Sequence, residues 1–489
     1  MHERVALIGL IAICLGQIGA LLRSRECGVS YYLCVAPIGF FNVWMFNTWS
    51  PDRLCGILLL LGIWAFQPRK RAERKYVLWR HPFFLLIAYG ILITVIASQW
   101  WPIDSVTSNS PAYRQLRVWI QAINWGITLG VAWTIGETLC SRASFRYARR
   151  AVLITGAALC FYGLYQYAAY SLGWPATGTR YIGEDAGSGS SVETYVAYAG
   201  NDGAVYRIGS LVGEPKQLAA CCIFWLALVM SAFVDKEFSR KTRFLLLTVI
   251  LLTLWFTAST SGWIAALCCL SLAIPLIGRW NGHRSVVPTC IGLGLLVLLS
   301  SALITGNVGE RLADSGFWQA VKVRLVDRLS EGTDVISSSL SDGPEQLTIE
   351  LLSERPHLAI FGVGQGGVSF YIAEMTGGSP IILSPNNGVL ALVSSIGIVG
   401  IGLLLFVFFR LACLVTPGRG GAPNAGAMAL VGIVAWLQVC IFPQPYLISC
   451  ACGFLLSAGF AKQMQGHVKL VGLPRQRPTI TAPSAECRV

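Results

Sequence analysis

Thirteen apolar runs follow one another along this chain, near residues 5–22, 29–47, 54–67, 82–99, 116–139, 151–172, 211–233, 244–258, 262–278, 286–305, 386–409, 426–442 and 446–461. A hydrocarbon layer offers no water to satisfy backbone N–H and C=O groups, so runs of this kind can only be helices. With 54% apolar and 12% charged residues in 489, the expected fold is an all-α polytopic membrane protein of about 11 to 13 transmembrane helices. The runs 54–67 and 244–258 are shorter than the roughly 20 residues of a straight crossing, which predicts broken or re-entrant segments there. Residues 5–22 lack a small-residue cleavage site and read as a retained first span.

Charge gives an orientation. The net charge of +13 is gathered in clusters: Arg69 to Arg80, Arg142 to Arg150, Lys236 to Arg243, Arg279 with Arg284, Arg410 with Arg419, and a tail carrying Lys462, Lys469, Arg475 and Arg477. They fall in alternate connections, which the positive-inside rule assigns to the cytoplasm. Basicity here expresses topology, and no nucleic-acid partner is expected. The loops 100–115, 173–206 and 306–384 are then external. Four regions follow: spans with the loop 173–206 over 1–305, a large external (periplasmic) helical loop over 306–384, further spans over 385–461, and a cytoplasmic tail over 462–489. None of the 16 cysteines lies in 173–206 or 306–384, so no external disulfide framework is expected. One histidine and no cysteine in those loops predicts no metal site, and no cofactor is expected.

The loop 173–206 is rich in Gly, Ser and Tyr, a composition for a solvated, adaptable segment. At its end, Tyr206-Arg207-Ile208-Gly209-Ser210-Leu211-Val212-Gly213-Glu214-Pro215-Lys216 passes directly into a span. Pro215 suits a first helical turn and Glu214 suits the positive helix end before it. Arg207 and Lys216 at such a junction are either interfacial anchors or donors for a lipid diphosphate. In the long loop, Phe317, Val321 and Leu325 with Trp318 and Leu329 describe an amphipathic helix over about 312–330. Arg324, Asp327, Arg328 and Glu331 share its polar face, either as a solvated ion-paired surface or as a substrate-facing one. A second helix begins near Asp342 and stops at Glu354-Arg355-Pro356, because proline disfavours helix before it. His357 follows. The run Phe361-Gly362-Val363-Gly364-Gln365-Gly366-Gly367 permits a tight turn with unusual backbone angles. It lacks the Lys-Ser/Thr of a phosphate-binding loop.

These landmarks, in this order, resemble the O-antigen ligase and Wzy-type polysaccharide polymerase superfamily. They are the Arg…Gly-Glu-Pro start of a middle span and the Thr-Ala-Ser-Thr-Ser-Gly-Trp break at 257–263. After them come the large external loop closing in Gly-Val-Gly, and Asn386-Asn387-Gly388 leading to Gly397-Ile398-Val399-Gly400. The resemblance covers roughly residues 150–410. It implies a metal-independent GT-C-like glycosyltransferase of the bacterial inner membrane, acting outside it on undecaprenyl-diphosphate-linked glycan. A chain-length regulator and a flippase would be its protein partners. Ala258 and Thr260 stand where members often carry Arg, and Pro385 stands where the ligases have His. Polymerases vary more at these positions, so polymerase is the first expectation and ligase the alternative, with a lipid-linked oligosaccharide transporter behind both.

A lipid diphosphate is a good leaving group and asks chiefly for cationic donors. Arg207 is the first candidate, with Arg324 and Arg328 next. The acceptor hydroxyl needs a base, for which Glu214, Glu354 and His357 are available. Lys216, Glu354, Arg355, Asn386 and Asn387 complete the expected substrate contacts.

Overall fold

The computed structural model describes residues 2–41, 43–44, 48–66, 82–102, 111–172, 174, 196–199, 203–235, 237–257, 259, 262–263, 265–271, 273, 344–376, 388–415, 423–441 and 444–470. The described part is nearly all helical. In chain order the helices are α1 (His2–Arg23), α2 (Arg25–Val35), α3 (Pro51–Phe66), α4 (Pro82–Ala97), α5 (Pro111–Thr138), α6 (Arg142–Leu172), α7 (Pro215–Asp235) and α8 (Arg240–Phe256). They continue with α9 (Pro344–Glu354), α10 (Pro356–Phe361), α11 (Val368–Met375), α12 (Gly388–Val415), α13 (Pro423–Ile441) and α14 (Pro445–Leu470). Two antiparallel hairpins interrupt them, Val43–Trp44 with Thr48–Trp49 and Val196–Ala199 with Gly203–Tyr206. The second lies in the Gly/Ser/Tyr-rich loop, whose composition does not announce it.

Among the described residues, six helices are long and apolar enough to cross a membrane: Ala6–Arg23, Val118–Thr138, Arg142–Ala169, Pro215–Phe233, Val389–Val407 and Pro445–Lys462. Phe84–Trp100 and Ala425–Val439 are shorter apolar helices. The expected amphipathic helix at 312–330, the run 286–305 and the residues Arg324, Arg328, Asn386 and Asn387 lie outside the described residues.

Two expectations are corrected. The run 29–47 is no single span: helix α2 stops at Val35 after 11 residues, about 16 Å, and is followed by a 3-10 turn and a hairpin. The short runs 54–67 and 244–258 are unbroken helices, α3 of 16 and α8 of 17 residues, about 24 and 26 Å long. Charged residues at their starts (Asp52 and Arg53, Arg240 to Arg243) lower the apparent hydropathy without ending the helix. The broken helix is α12, which departs from helical angles at Gly397 (φ 66°, ψ 177°).

Helices α7 and α14 are central, with 83% of each span buried against 22% for α1. Between lipid-embedded helices, close van der Waals approach has to replace the hydrophobic drive, and small residues allow it. Cys221 and Cys222 of α7 and Cys450 of α14 are completely buried, and the twelve described cysteines are free thiols. A Cβ on Gly453 would lie 2.7 Å from the Cβ of Ile135, and one on Gly136 would lie 2.6 Å from that of Leu456, so α5 and α14 touch nearly backbone to backbone.

One end of the bundle holds the described basic residues Arg25, Arg142 to Arg150 and Arg240 to Arg243, some of them with their counter-charges. Arg25 pairs with Glu137 at 2.8 Å, which puts the α1–α2 turn beside the α5–α6 connection. Arg149, without exposed side-chain surface, pairs with Asp235 at 2.8 Å and also with Glu237, and donates to Ser231 Oγ at 3.1 Å. Arg150 closes on the other oxygen of Glu237 at 2.5 Å. Burying these ions without partners would cost several kcal/mol each, so the cluster ties α6 to the end of α7.

Candidate functional site

At the opposite end, the chain segments that carried the sequence landmarks meet in pairs. The turn before α7 is held unusually firmly. Ser210 adopts a left-handed conformation (φ 54°), rare for a residue with a side chain, and it is fully buried. Its N–H donates to Gln166 Oε1 at 2.9 Å and its hydroxyl to the Leu159 carbonyl at 2.6 Å, both on α6. Gly213 (φ 109°) then reverses the chain into Pro215. Strain of this kind persists only where surroundings over-determine it, and it concentrates at functional turns. The segment after α2 packs over the same turn, since a Cβ on Gly39 would lie 2.3 Å from the Val212 carbonyl oxygen.

Arg207 leads into that turn. Its Nε donates to the Thr257 carbonyl at 2.8 Å, while the Ile208 N–H donates to the Phe256 carbonyl at 3.3 Å. The Arg207 segment is therefore seated on the helix end that opens the 257–263 break. Trp263 beyond the break stacks on Trp255 with ring centroids 4.9 Å apart, and its indole N–H donates to the Leu254 carbonyl at 3.2 Å. Lys216, in the first turn of α7, lies within electrostatic reach of Glu214 and of Glu345 on α9. The long loop thus returns to the start of the same span. Glu354 and His357 are exposed at the α9–α10 junction. Arg355 between them pairs with Glu374 at 3.4 Å, and its guanidinium lies 5.2 Å from the Tyr371 ring centroid. Burial pushes the Tyr371 phenol above its ordinary pKa, with the Arg355 charge opposing that rise.

The second pairing joins the glycine run to the break in α12. A helix broken at Gly397 frees carbonyls that water cannot reach, and the loop satisfies them. The Val363 N–H donates to the Ser394 carbonyl at 2.7 Å and the Gly364 N–H to that of Ser395 at 3.0 Å. Gly362, Gly364 and Gly366 all have positive φ (89°, 77° and 73°), as the expected turn requires. The two segments approach so closely that a Cβ on Gly397 would lie 2.4 Å from the Ile360 carbonyl oxygen. Helix α4 and Trp101 just beyond it lock the turn from the other side. Tyr89 donates to the Phe361 carbonyl at 2.8 Å, the Trp101 indole to that of Val363 at 2.8 Å, and Thr94 Oγ1 accepts from the Gln365 N–H at 3.1 Å.

Beside this turn lies a cavity of about 110 Å³ that reading the sequence missed. Its walls come from α2, the start of α3, α5, Gln365 of the glycine turn and the start of α14. Asp52 and Arg53 contribute opposite charges, and the Ser50 hydroxyl donates to the Asp52 carboxylate. Gln121, Asn124, Trp125 and Thr128 line it from one face of α5, at i, i+3, i+4 and i+7. That polar stripe inside an otherwise apolar span was the available signal, because polar residues in a span turn toward protein or a water-filled space.

Among the described residues, no group of three or more His, Cys, Asp or Glu is arranged to hold a metal ion. The site offers instead cations at loop–span junctions, carboxylates beside them, and a polar cavity at the same end of the bundle. No protein family, curated protein or solved structure matches the chain.

Proposed function

We propose that the chain is a multi-pass membrane glycosyltransferase that polymerises a bacterial surface polysaccharide, transferring growing glycan from undecaprenyl diphosphate to a lipid-linked repeat on the periplasmic side of the inner membrane. The observation that carries this reading is the convergence of separated segments at the end of the bundle away from the basic clusters. Arg207 is seated on the 257–263 break, the glycine turn is bonded across the Gly397 break, and Lys216 is within reach of Glu345. This convergence supports one working face where the lipid carrier meets a fixed backbone. Arg207 and Lys216 would hold the diphosphate as charge develops on the departing oxygen. Glu214, within electrostatic reach of Lys216, would take the proton from the attacking hydroxyl. Attack in a single displacement inverts the anomeric carbon.

The decisive measurement is the lipid-linked pool of a deletion strain. The expected result is accumulation of a single repeat on the carrier, restored to long chains by the intact gene. Long carrier-linked polymer that never reaches its acceptor would replace polymerase by ligase.

Sidedness has its own test. A cysteine introduced by Ser339→Cys in the long loop is expected to react with a membrane-impermeant maleimide in intact spheroplasts, as the positive-inside pattern requires. Labelling only after lysis would move the proposed site to the cytoplasm and end the carrier-lipid reading.

A further inference from the structure

Three side-chain amides at the cavity beside the glycine turn, those of Gln121, Asn124 and Gln365, make no hydrogen bond to any described residue. All three are only partly buried, so a ligand entering the cavity can replace the water around them. The amides present both donors and acceptors. The two charges, Asp52 and Arg53, cancel, which disfavours a diphosphate: the carboxylate would repel it, and desolvation would add to that repulsion. A neutral polyhydroxyl fits better. Each hydroxyl both donates and accepts, and a carboxylate and amides can bridge vicinal hydroxyls. The walls are fixed in advance: Gln365 is pinned through its N–H to Thr94, and Gly366 lies so close to Gln121 that a Cβ there would be 3.1 Å from the amide carbon.

We infer that this cavity binds one neutral sugar ring of the acceptor glycan, with Asp52 and the amides of Gln121, Asn124 and Gln365 as its hydrogen-bonding contacts. The glycan beyond that ring extends outward at the end where α3 and α14 begin. This rests on the glycosyltransferase reading for the word acceptor, but the binding itself can be measured alone. Saturation-transfer NMR on the full chain in nanodiscs would use methyl glycosides of glucose, galactose, mannose, rhamnose and N-acetylglucosamine, with methyl diphosphate, whose methyl protons report binding, as the charged probe. At least one glycoside is expected to give a transfer signal that falls fivefold or more in Asp52→Asn and in Asn124→Leu. It should persist in Arg207→Ala, which should weaken only the diphosphate signal. Gln365→Leu, at a partly exposed position, repeats the test if Asn124→Leu fails to fold. No glycoside signal, or one indifferent to the cavity variants, overturns the inference. If the deletion strain still loses polymer in that case, the proposed function survives without this site. If glycosides bind but the strain makes normal polymer, the cavity stands and the enzyme reading falls.

Discussion

Arg207→Ala is expected to reduce surface polymer to about 1% or less of wild type, because removing one preorganised donor to developing charge typically costs 10²–10³ in rate. The protein should remain in the membrane at its normal level. The turn that Arg207 introduces keeps its own attachments, Ser210 to Gln166 and Leu159 and the Ile208 N–H to Phe256, none of which uses the guanidinium. Thermal stability in detergent should therefore change little while activity disappears. Arg207→Lys should recover only a small part, since an ammonium can replace the charge but cannot both bond Thr257 and present a planar fork. Polymer near wild-type amounts from the alanine variant would reduce Arg207 to an anchor of the 257–263 break.

Gly397→Ala should damage the fold itself. An alanine at φ 66°, ψ 177°, a region that essentially only glycine occupies, bears roughly 1–3 kcal/mol of backbone strain. Its Cβ, 2.4 Å from the Ile360 carbonyl oxygen, would also push the glycine turn off the helix, adding about 1–3 kcal/mol. The expected outcome is a large fall in the melting temperature of the purified protein, together with lost polymer. Gly402→Ala, five residues along the same helix with nothing within 4 Å of the added methyl, is the control and should behave as wild type. Equal stability of the two variants would mean that the contact across the break contributes little.

What the sequence discloses about such a site depends on whether the signal is local. The Glu354-Arg355-Pro356 stop is local, and helix α9 ends at Glu354. The angles of Gly362, Gly364 and Gly366 are local too, since only glycine takes them freely. Their partner is not: nothing near Gly397 in the chain says that Val363 will bond to Ser394, thirty-one positions away, and the apolar run reads as one uninterrupted span. The Arg207–Thr257 bond has the same character. Each residue is noticeable at its own span boundary, and their meeting depends on how α6, α7 and α8 pack. The cavity escaped for a different reason. Gln121, Asn124 and Thr128 are uncharged and diluted among apolar neighbours, so averaging over a span-length window hides a stripe that appears only when every third or fourth residue is compared. Asp52 and Arg53 precede the apolar run 54–67, so hydropathy assigns them to a connection although the helix begins at Pro51.

The charged knot at the other end of the bundle bears on how the protein is made. Arg149 belongs to a helix synthesised before Asp235 and Glu237 exist, and the loop 173–206 separates them. Until α7 arrives, α6 carries an arginine whose final carboxylate partners are missing, and an isolated arginine in lipid costs several kcal/mol. The stable course is for α6 to keep that end at the interface, or beside the insertion machinery, and to settle only when α7 comes alongside. Membrane integration of this chain is therefore paired by its charges, with α6 and α7 as one unit of assembly despite the loop between them.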